Sequence, residues 1–198
     1  MTRPRLLDLF CGAGGAAVGY HRAGFDVVGV DIVSQPRYPF TFQQADAMTV
    51  PLDGFDAIHA SPPCPHYANV TRWRGDPTDH PALIPDTRAR LQAAGVPWVM
   101  ENVRTRELRA CFVLCGSTFG LPVRRHRYFE TNWAGLHLVP PCQHQATDLA
   151  FMHKGERAYA DAMDCQWMTN REARQAIPPA YTQWIGEQLL AHIKEPAA

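Results

Sequence analysis

The chain has 198 residues, 46% of them hydrophobic and 19% charged, with 19 basic and 19 acidic side chains that cancel. These values fit one globular domain over 1–198 that buries a core without disulfide or metal staples, and no apolar run reaches the length of a membrane span. The neutral balance supplies no general excess of Lys and Arg for gripping a nucleic-acid backbone.

Met1–Arg5 leads straight into an apolar run without signal-peptide architecture, so a cytoplasmic protein is expected. Arg5–Phe10 reads as a strand ending at a glycine-rich turn, Cys11–Gly15, and Ala16–Ala23 as a helix closed by Gly24. Val27–Val30 is a second strand ending at Asp31. Such a strand, turn, helix and strand, closed by an acid, is how a nucleotide-type cofactor site is built: glycine lets the backbone approach the ligand, and the carboxylate accepts from ribose hydroxyls. Thr41–Gln44, Asp56–Ala60 and Trp98–Met100 are further strands, and Thr87–Ala94 is a helix stopped by Gly95. Phe112–Leu114 and Tyr128–Glu130 flank a turn at Gly120–Arg125, and Tyr181–Ile193 closes the chain as a helix. Between them, from Val139 to about Cys165, lies the least regular stretch. Alternating short strands and helices predict an α/β fold with helices on both faces of the sheet. Ligands then sit beyond the carboxyl ends of the strands, and Asp31, Asp46, Cys64 and Glu101 are expected to line one cleft.

Read singly, each candidate has an ordinary alternative. The loop at Gly12, Gly14, Gly15 and Gly19 is not a G-x-G-x-x-G and serves equally as a tight turn. Cys64, inside Ser61-Pro-Pro-Cys-Pro65, is either a loop cysteine or a nucleophile whose thiolate is favoured by Arg72, Arg74 or the Arg125/Arg127 pair. Glu101 either faces solvent at a strand end or meets a base edge. The arginines at 72/74, 104/106/109 and 124/125/127 form either a solvated surface or a basic rim around one cleft. Cys111-x-x-x-Cys115 with Cys142-x-His144 matches no common zinc-finger spacing; buried thiols and no metal site are expected.

Their order along the chain says more. Asp8-Leu-Phe-Cys-Gly-Ala-Gly-Gly15, Pro62-Pro63-Cys64, Glu101-Asn102-Val103 and Arg125-x-Arg127 together resemble the DNA cytosine-5 methyltransferase family, with Gln175-Ala-Ile-Pro-Pro179 similar to a later family segment. The resemblance runs from about Leu6 to Leu190, apart from Thr131–Cys165. It implies a Rossmann-like S-adenosylmethionine-dependent methyltransferase with a central, mostly parallel sheet flanked by helices. The family's pattern implies cofactor contacts from Asp8, Phe10, Gly12, Ala13, Gly14, Gly15, Asp31, Ile32, Asp46, Ala47, Ser61 and Gln175. Within that set Phe10 would pack on the adenine, Asp31 would hold the ribose and Asp46 would sit near the adenine amino group. Cys64 would attack C6 of a flipped-out cytosine, Glu101 would contact N3 and the exocyclic amine, and Arg127, with Arg125 beside it, would hold O2.

Pro65, Val123 and Gln175 depart from the family's usual Gln, Gln and Asn at these places. The larger departure is residues 131–165, a reduced target-recognition segment that leaves little room for reading several base pairs. Sequence recognition is then short, relaxed or supplied by a partner protein. Residues 171–193 are expected to pack back on the cofactor domain. DNA is the implied partner; RNA, single strands and free nucleotides are the alternative substrates, and a non-catalytic DNA- or cofactor-binding subunit is the alternative role.

Overall fold

The computed structural model describes residues 2–63, 82–134, 139–150 and 157–194. Their centre is a seven-stranded sheet built from β1 (Arg5–Leu9), β2 (Asp26–Asp31), β3 (Thr41–Gln44), β4 (Ala57–Ala60), β5 (Trp98–Asn102), β6 (Phe112–Leu114) and, after the two-residue β7 (Val123–Arg124), β8 (Arg127–Thr131). The order across the sheet is β3-β2-β1-β4-β5-β8-β6. β1 to β5 pair in parallel, and β8 runs antiparallel to both β5 and β6. The chain winds outward from β1 to β3, then resumes on the other side at β4. This reversal between β1 and β4 opens a crevice at their carboxyl ends, where Phe10 and Ser61 emerge.

Side chains alternate across β1, so Leu6 enters one core and Leu7 and Leu9 the other. The Leu6 side is covered by α1 (Gly15–Ala23) and the terminal helix α5 (Pro179–Lys194), through Tyr20, Tyr181, Ile185 and Leu189. The opposite side is covered by α2 (Ile84–Ala93), through Ile84 and Leu91 against Ile58, Trp98 and Met100. A third cluster joins Ala13 and Val123 to Tyr159, Met163, Met168 and Ala173, contributed by α3 (Ala158–Ala162), α4 (Asn170–Gln175) and their connection. Thr169 and Glu172 form a reciprocal capping box that starts α4.

α1 and α5 approach closely because Gly19 has no side chain. A Cβ there would collide with Thr182 Oγ1 and the Pro179 carbonyl and lie 2.7 Å from Gln183 N. Thr182 Oγ1 also donates to the Ala16 carbonyl at 2.9 Å, so the contact is fixed at its polar atoms. Gly19→Ala is therefore expected to lower unfolding stability by about 1–3 kcal/mol, although Ala is the better helix former. Urea denaturation of the two proteins measures this.

Residue boundaries follow the sequence reading within about three positions, including Thr41–Gln44 and Phe112–Leu114. The stretch after Val139 is less irregular than expected: β9 (Leu149–Ala150) pairs with β7, and α3 follows. The expectation of two buried thiols at 111 and 115 is corrected, since Cys115 is buried but Cys111 is exposed beside the short edge strand β6. Among the described residues no helix is long and apolar enough to cross a membrane.

Candidate active site at the carboxyl ends of the strands

A cavity of about 1050 Å³ lies over the crevice between β1 and β4. One wall is the first loop. Phe10 is held at φ 57°, a left-handed conformation uncommon for an aromatic residue, and its ring lines the cavity. Gly12 N–H donates to Asp31 Oδ2 at 3.0 Å and Val33 N–H to Oδ1 at 2.9 Å, which fixes that carboxylate at the end of β2. Ile32 and Val33 beside it are 67% and 60% exposed, two apolar side chains left at the rim of a cavity. Trp167 Nε1 donates to the Ala13 carbonyl at 2.8 Å, so the connection between α3 and α4 holds the loop from outside.

Asp8 is buried on the floor. Neither carboxyl oxygen has a hydrogen-bond partner among the described residues, and the Tyr38 hydroxyl faces it without reaching bonding geometry. Burial, and then the Asp31 charge, push the Asp8 carboxyl well above the usual carboxylate range. A buried carboxyl without donors, close to a second one, suits a cationic or donor-rich ligand.

The far wall carries the other candidates. Glu101, on β5, is buried, and its Oε1 lies 2.8 Å from Arg127 Nε on β8. Burial raises the Glu101 pKa; the charges of Arg127 and Arg125 oppose it. Asn102 Nδ2 donates to the Pro62 carbonyl at 2.8 Å, tying the end of β5 to the turn that leads into Cys64. Pro62 and Pro63 line the cavity; Cys64, with Arg72 and Arg74, lies outside the described residues. Arg104, Arg124 and Arg171 stand around the same wall. The cavity is thus acidic at the glycine loop and basic across from it.

Most of the sequence candidates meet here: Asp8, Phe10, Gly12, Ala13, Gly15, Asp31, Ile32, Ser61, Glu101, Arg125, Arg127 and Gln175 all line this one space. Three do not. Asp46 is exposed and its Oδ1 accepts from Met48 N–H at 2.8 Å, capping the turn after β3. Ala47 is buried in the α2-side core. Gly14 is the left-handed N-cap of α1 and packs toward Tyr38 and Pro39, where a Cβ would lie 2.8 Å from Pro39 Cδ. Arg125 lines the cavity but turns both Nη groups to the protein: Nη2 reaches the carbonyls of Arg174 at 2.8 Å and Ala176 at 2.6 Å, and Nη1 the Tyr159 hydroxyl at 3.2 Å. It fastens the β7–β8 turn to α4, leaving Arg127 as the guanidinium beside Glu101.

Sequence reasoning missed Tyr20 and His59. Tyr20 Oη lies 3.0 Å from His59 Nδ1, and His59 Nε2 lies 2.8 Å from Ser61 Oγ, a buried line from the α1 core to the cavity. Burial lowers His59 to about 3, so the imidazole is neutral. A polar residue in the middle of β4 (Ala-Ile-His-Ala) was the available signal.

The crevice position, the sheet order and the loop after β1 define the Rossmann-like fold of S-adenosylmethionine-dependent methyltransferases. Two solved structures share it: the Dnmt2 methyltransferase of S. pombe (TM-score 0.61, 13% identity, 98% of this chain and 100% of that one) and the methyltransferase EhMeth of Entamoeba histolytica (TM-score 0.66, 11% identity, 98% and 100%). No family model matches the chain. In sequence it is 24% identical over 208 residues to the Type II methyltransferase M.XorII of Xanthomonas oryzae pv. oryzae, covering 94% of this chain. The two structures show the fold, and the sequence likeness is to a Type II methyltransferase. It spans only 44% of the length of M.XorII.

Proposed function

We propose that the protein transfers a methyl group from S-adenosylmethionine to C5 of cytosine in DNA, through a covalent bond between Cys64 and C6. The observation that carries this reading is the buried Glu101–Arg127 pair, 2.8 Å apart, facing the Phe10–Asp31 loop across one cavity. When bound, the cofactor supplies an electrophilic methyl on a sulfonium. The residues present fit it: Phe10 offers a ring face for the adenine, Asp31 a fixed carboxylate for the ribose, and Asp8 an unpartnered carboxyl for the ammonium. Two carboxyls near one another also favour a cationic ligand over an anionic one.

The base needs complementary groups on the opposite wall. Cytosine N3 is an acceptor and its exocyclic amine a donor, so a protonated Glu101 matches both atoms, and Arg127 beside it would donate to O2. Attack by the Cys64 thiolate on C6 moves electron density to C5, which takes the methyl. Loss of the C5 proton and expulsion of the thiolate restore the aromatic base and the free cysteine. C6 is covered in a stacked duplex, so the target base leaves the stack or is unpaired at the start. The basic residues Arg104, Arg124 and Arg171 at the rim suit the backbone on either side of it.

Residues 131–165 leave little room for major-groove reading, and short or partner-assisted recognition is part of this proposal. The test is nucleoside mass spectrometry on DNA from cells expressing the wild type or Cys64→Ala. New 5-methylcytosine with the wild type alone is expected. Unmodified DNA in both would overturn the reading for DNA, and methyl-acceptor assays on RNA, single strands and dCMP would then identify any other substrate.

A further inference from the structure

Four soft ligand groups converge away from the cavity floor. The sulfurs of Cys115 and Cys142 and imidazole nitrogens of His126 and His144 all lie within 4.8 Å of one another. Cys115 Sγ is 3.1 Å from His144 Nε2, and His126 Nε2 is 3.4 Å from Cys142 Sγ. The two imidazole rings stand edge to face with centroids 5.0 Å apart, so they approach one point from different directions. We propose that these four residues form a structural zinc site.

Zinc bonds of about 2.3 Å to sulfur and about 2.0–2.1 Å to nitrogen, in a tetrahedron, place ligand atoms roughly 3.3–3.8 Å apart. The observed separations, from 3.1 Å up to at most 4.8 Å, bracket that range, and closing the set needs shifts on the order of an ångström. Two thiolates balance the charge of a dication, and a tetrahedral sulfur–nitrogen set selects zinc over oxygen-seeking magnesium or calcium. All four positions are filled by protein, which marks a structural rather than a catalytic centre. Ser117 supports the shell: its hydroxyl lies 3.5 Å from Cys115 Sγ and accepts from Gln143 N–H at 3.1 Å.

The position in the fold supplies the reason for such a site. Cys115 follows β6, His126 lies in the turn between β7 and β8, and Cys142 and His144 lie in the stretch before β9. Residues 140–147 are exposed, and protein contacts there are few: the two-residue pairing of β7 with β9, Arg124 Nη2 to the Gln145 carbonyl at 2.9 Å, and Gln143 on Ser117. Such a segment buries too little apolar surface to order itself, and metal binding supplies the missing free energy. The metal would pin the first part of the 131–165 segment to the turn carrying Arg125 and Arg127, and so beside the active-site wall. The spacing Cys-x₁₀-His-x₁₅-Cys-x-His explains why the sequence concealed it: His126 takes the role that Cys111 had been weighed for, and it sits among arginines.

The experiment is metal analysis of the full chain purified under reducing conditions, with cobalt substitution as the spectroscopic readout. About one zinc per chain is expected, replaced by cobalt showing the intense visible bands of tetrahedral coordination and thiolate-to-cobalt charge transfer. Cys142→Ser and His144→Ala, both on the exposed segment, should each lower zinc content at least tenfold after dialysis against a weak chelator, with far-ultraviolet circular dichroism retained. Cys111→Ser should hold zinc as the wild type does. Zinc content below a tenth of an equivalent in the wild type after anaerobic zinc addition would overturn the proposal. So would zinc undiminished in both variants, or a Cys115–Cys142 disulfide as the only product of joining these segments. None of these readouts depends on methyl transfer.

Discussion

Glu101→Gln is expected to slow methyl transfer roughly 10²–10⁴-fold, the range seen when a positioned acid is removed. Cofactor affinity should change less than about threefold, because Glu101 lies on the wall opposite the glycine loop. The amide keeps the size of the side chain and one donor, but it cannot share a proton with N3. Single-turnover rates and cofactor titration by calorimetry separate the two effects. A pH profile adds a second check. Burial raises the Glu101 carboxyl above its ordinary value, even with Arg127 at 2.8 Å. In the proposed mechanism the active form is the protonated one, so the wild-type rate should fall as pH rises through that raised pKa, and Glu101→Gln should lack this alkaline limb. An unchanged rate in Glu101→Gln would remove the residue from the chemistry.

The second large effect is on stability. Arg88 on α2 and Glu130 on β8 form a bidentate ion pair, Nε to Oε1 at 2.6 Å and Nη2 to Oε2 at 2.8 Å, with side chains 5% and 6% exposed. The same guanidinium donates to the Glu107 carbonyl, and Glu130 Oε2 accepts from Arg109 N–H at 2.8 Å. The pair therefore joins a helix, a sheet strand and the 107–109 loop. Glu130→Ala takes the bidentate carboxylate away from a buried guanidinium and should cost about 3–5 kcal/mol. Replacing both by apolar residues, Arg88→Met with Glu130→Leu, should recover most of that loss, because the desolvation cost disappears with the charges. Urea midpoints at constant m-value measure both. A Glu130→Ala protein within about 1 kcal/mol of the wild type would show that the pair contributes little.

Local pattern made the sheet legible. β1, β2 and β4 are short runs rich in Leu, Val, Ile or Ala that end at Gly, Asp or Pro punctuation, and α1 and α2 stop at Gly24 and Gly95, which adopt φ 115° and 69°. Of the four residues expected at one cleft, Asp31 and Glu101 do meet there, because a mostly parallel sheet delivers every strand's carboxyl end to one side. Roles set by long-range partners were hidden. Arg125 and Arg127 look equivalent in sequence, yet one is consumed by the carbonyls of Arg174 and Ala176, some fifty residues away. Asp46 has the residue type for a cofactor contact, but its local turn to Met48 points it outward. The same holds for Arg88 and Glu130, 42 residues apart, which sequence spacing gave no reason to pair.

The line from Tyr20 through His59 to Ser61 has a direction. The Tyr20 hydroxyl has His59 Nδ1 as its hydrogen-bond partner among the described residues, and donating there leaves His59 Nε2 to donate to Ser61 Oγ. A neutral imidazole then carries its single proton on Nε2, and Nδ1 is free only to accept, from the Tyr20 hydroxyl. Burial keeps that hydroxyl protonated, since it pushes the Tyr20 pKa well above its ordinary value. A phenol in the core between the sheet and α1 thus selects the tautomer of a histidine, and through it the polarity of the dipole presented to the cavity at Ser61. Tyr20→Phe would leave the cavity's shape intact and release that orientation.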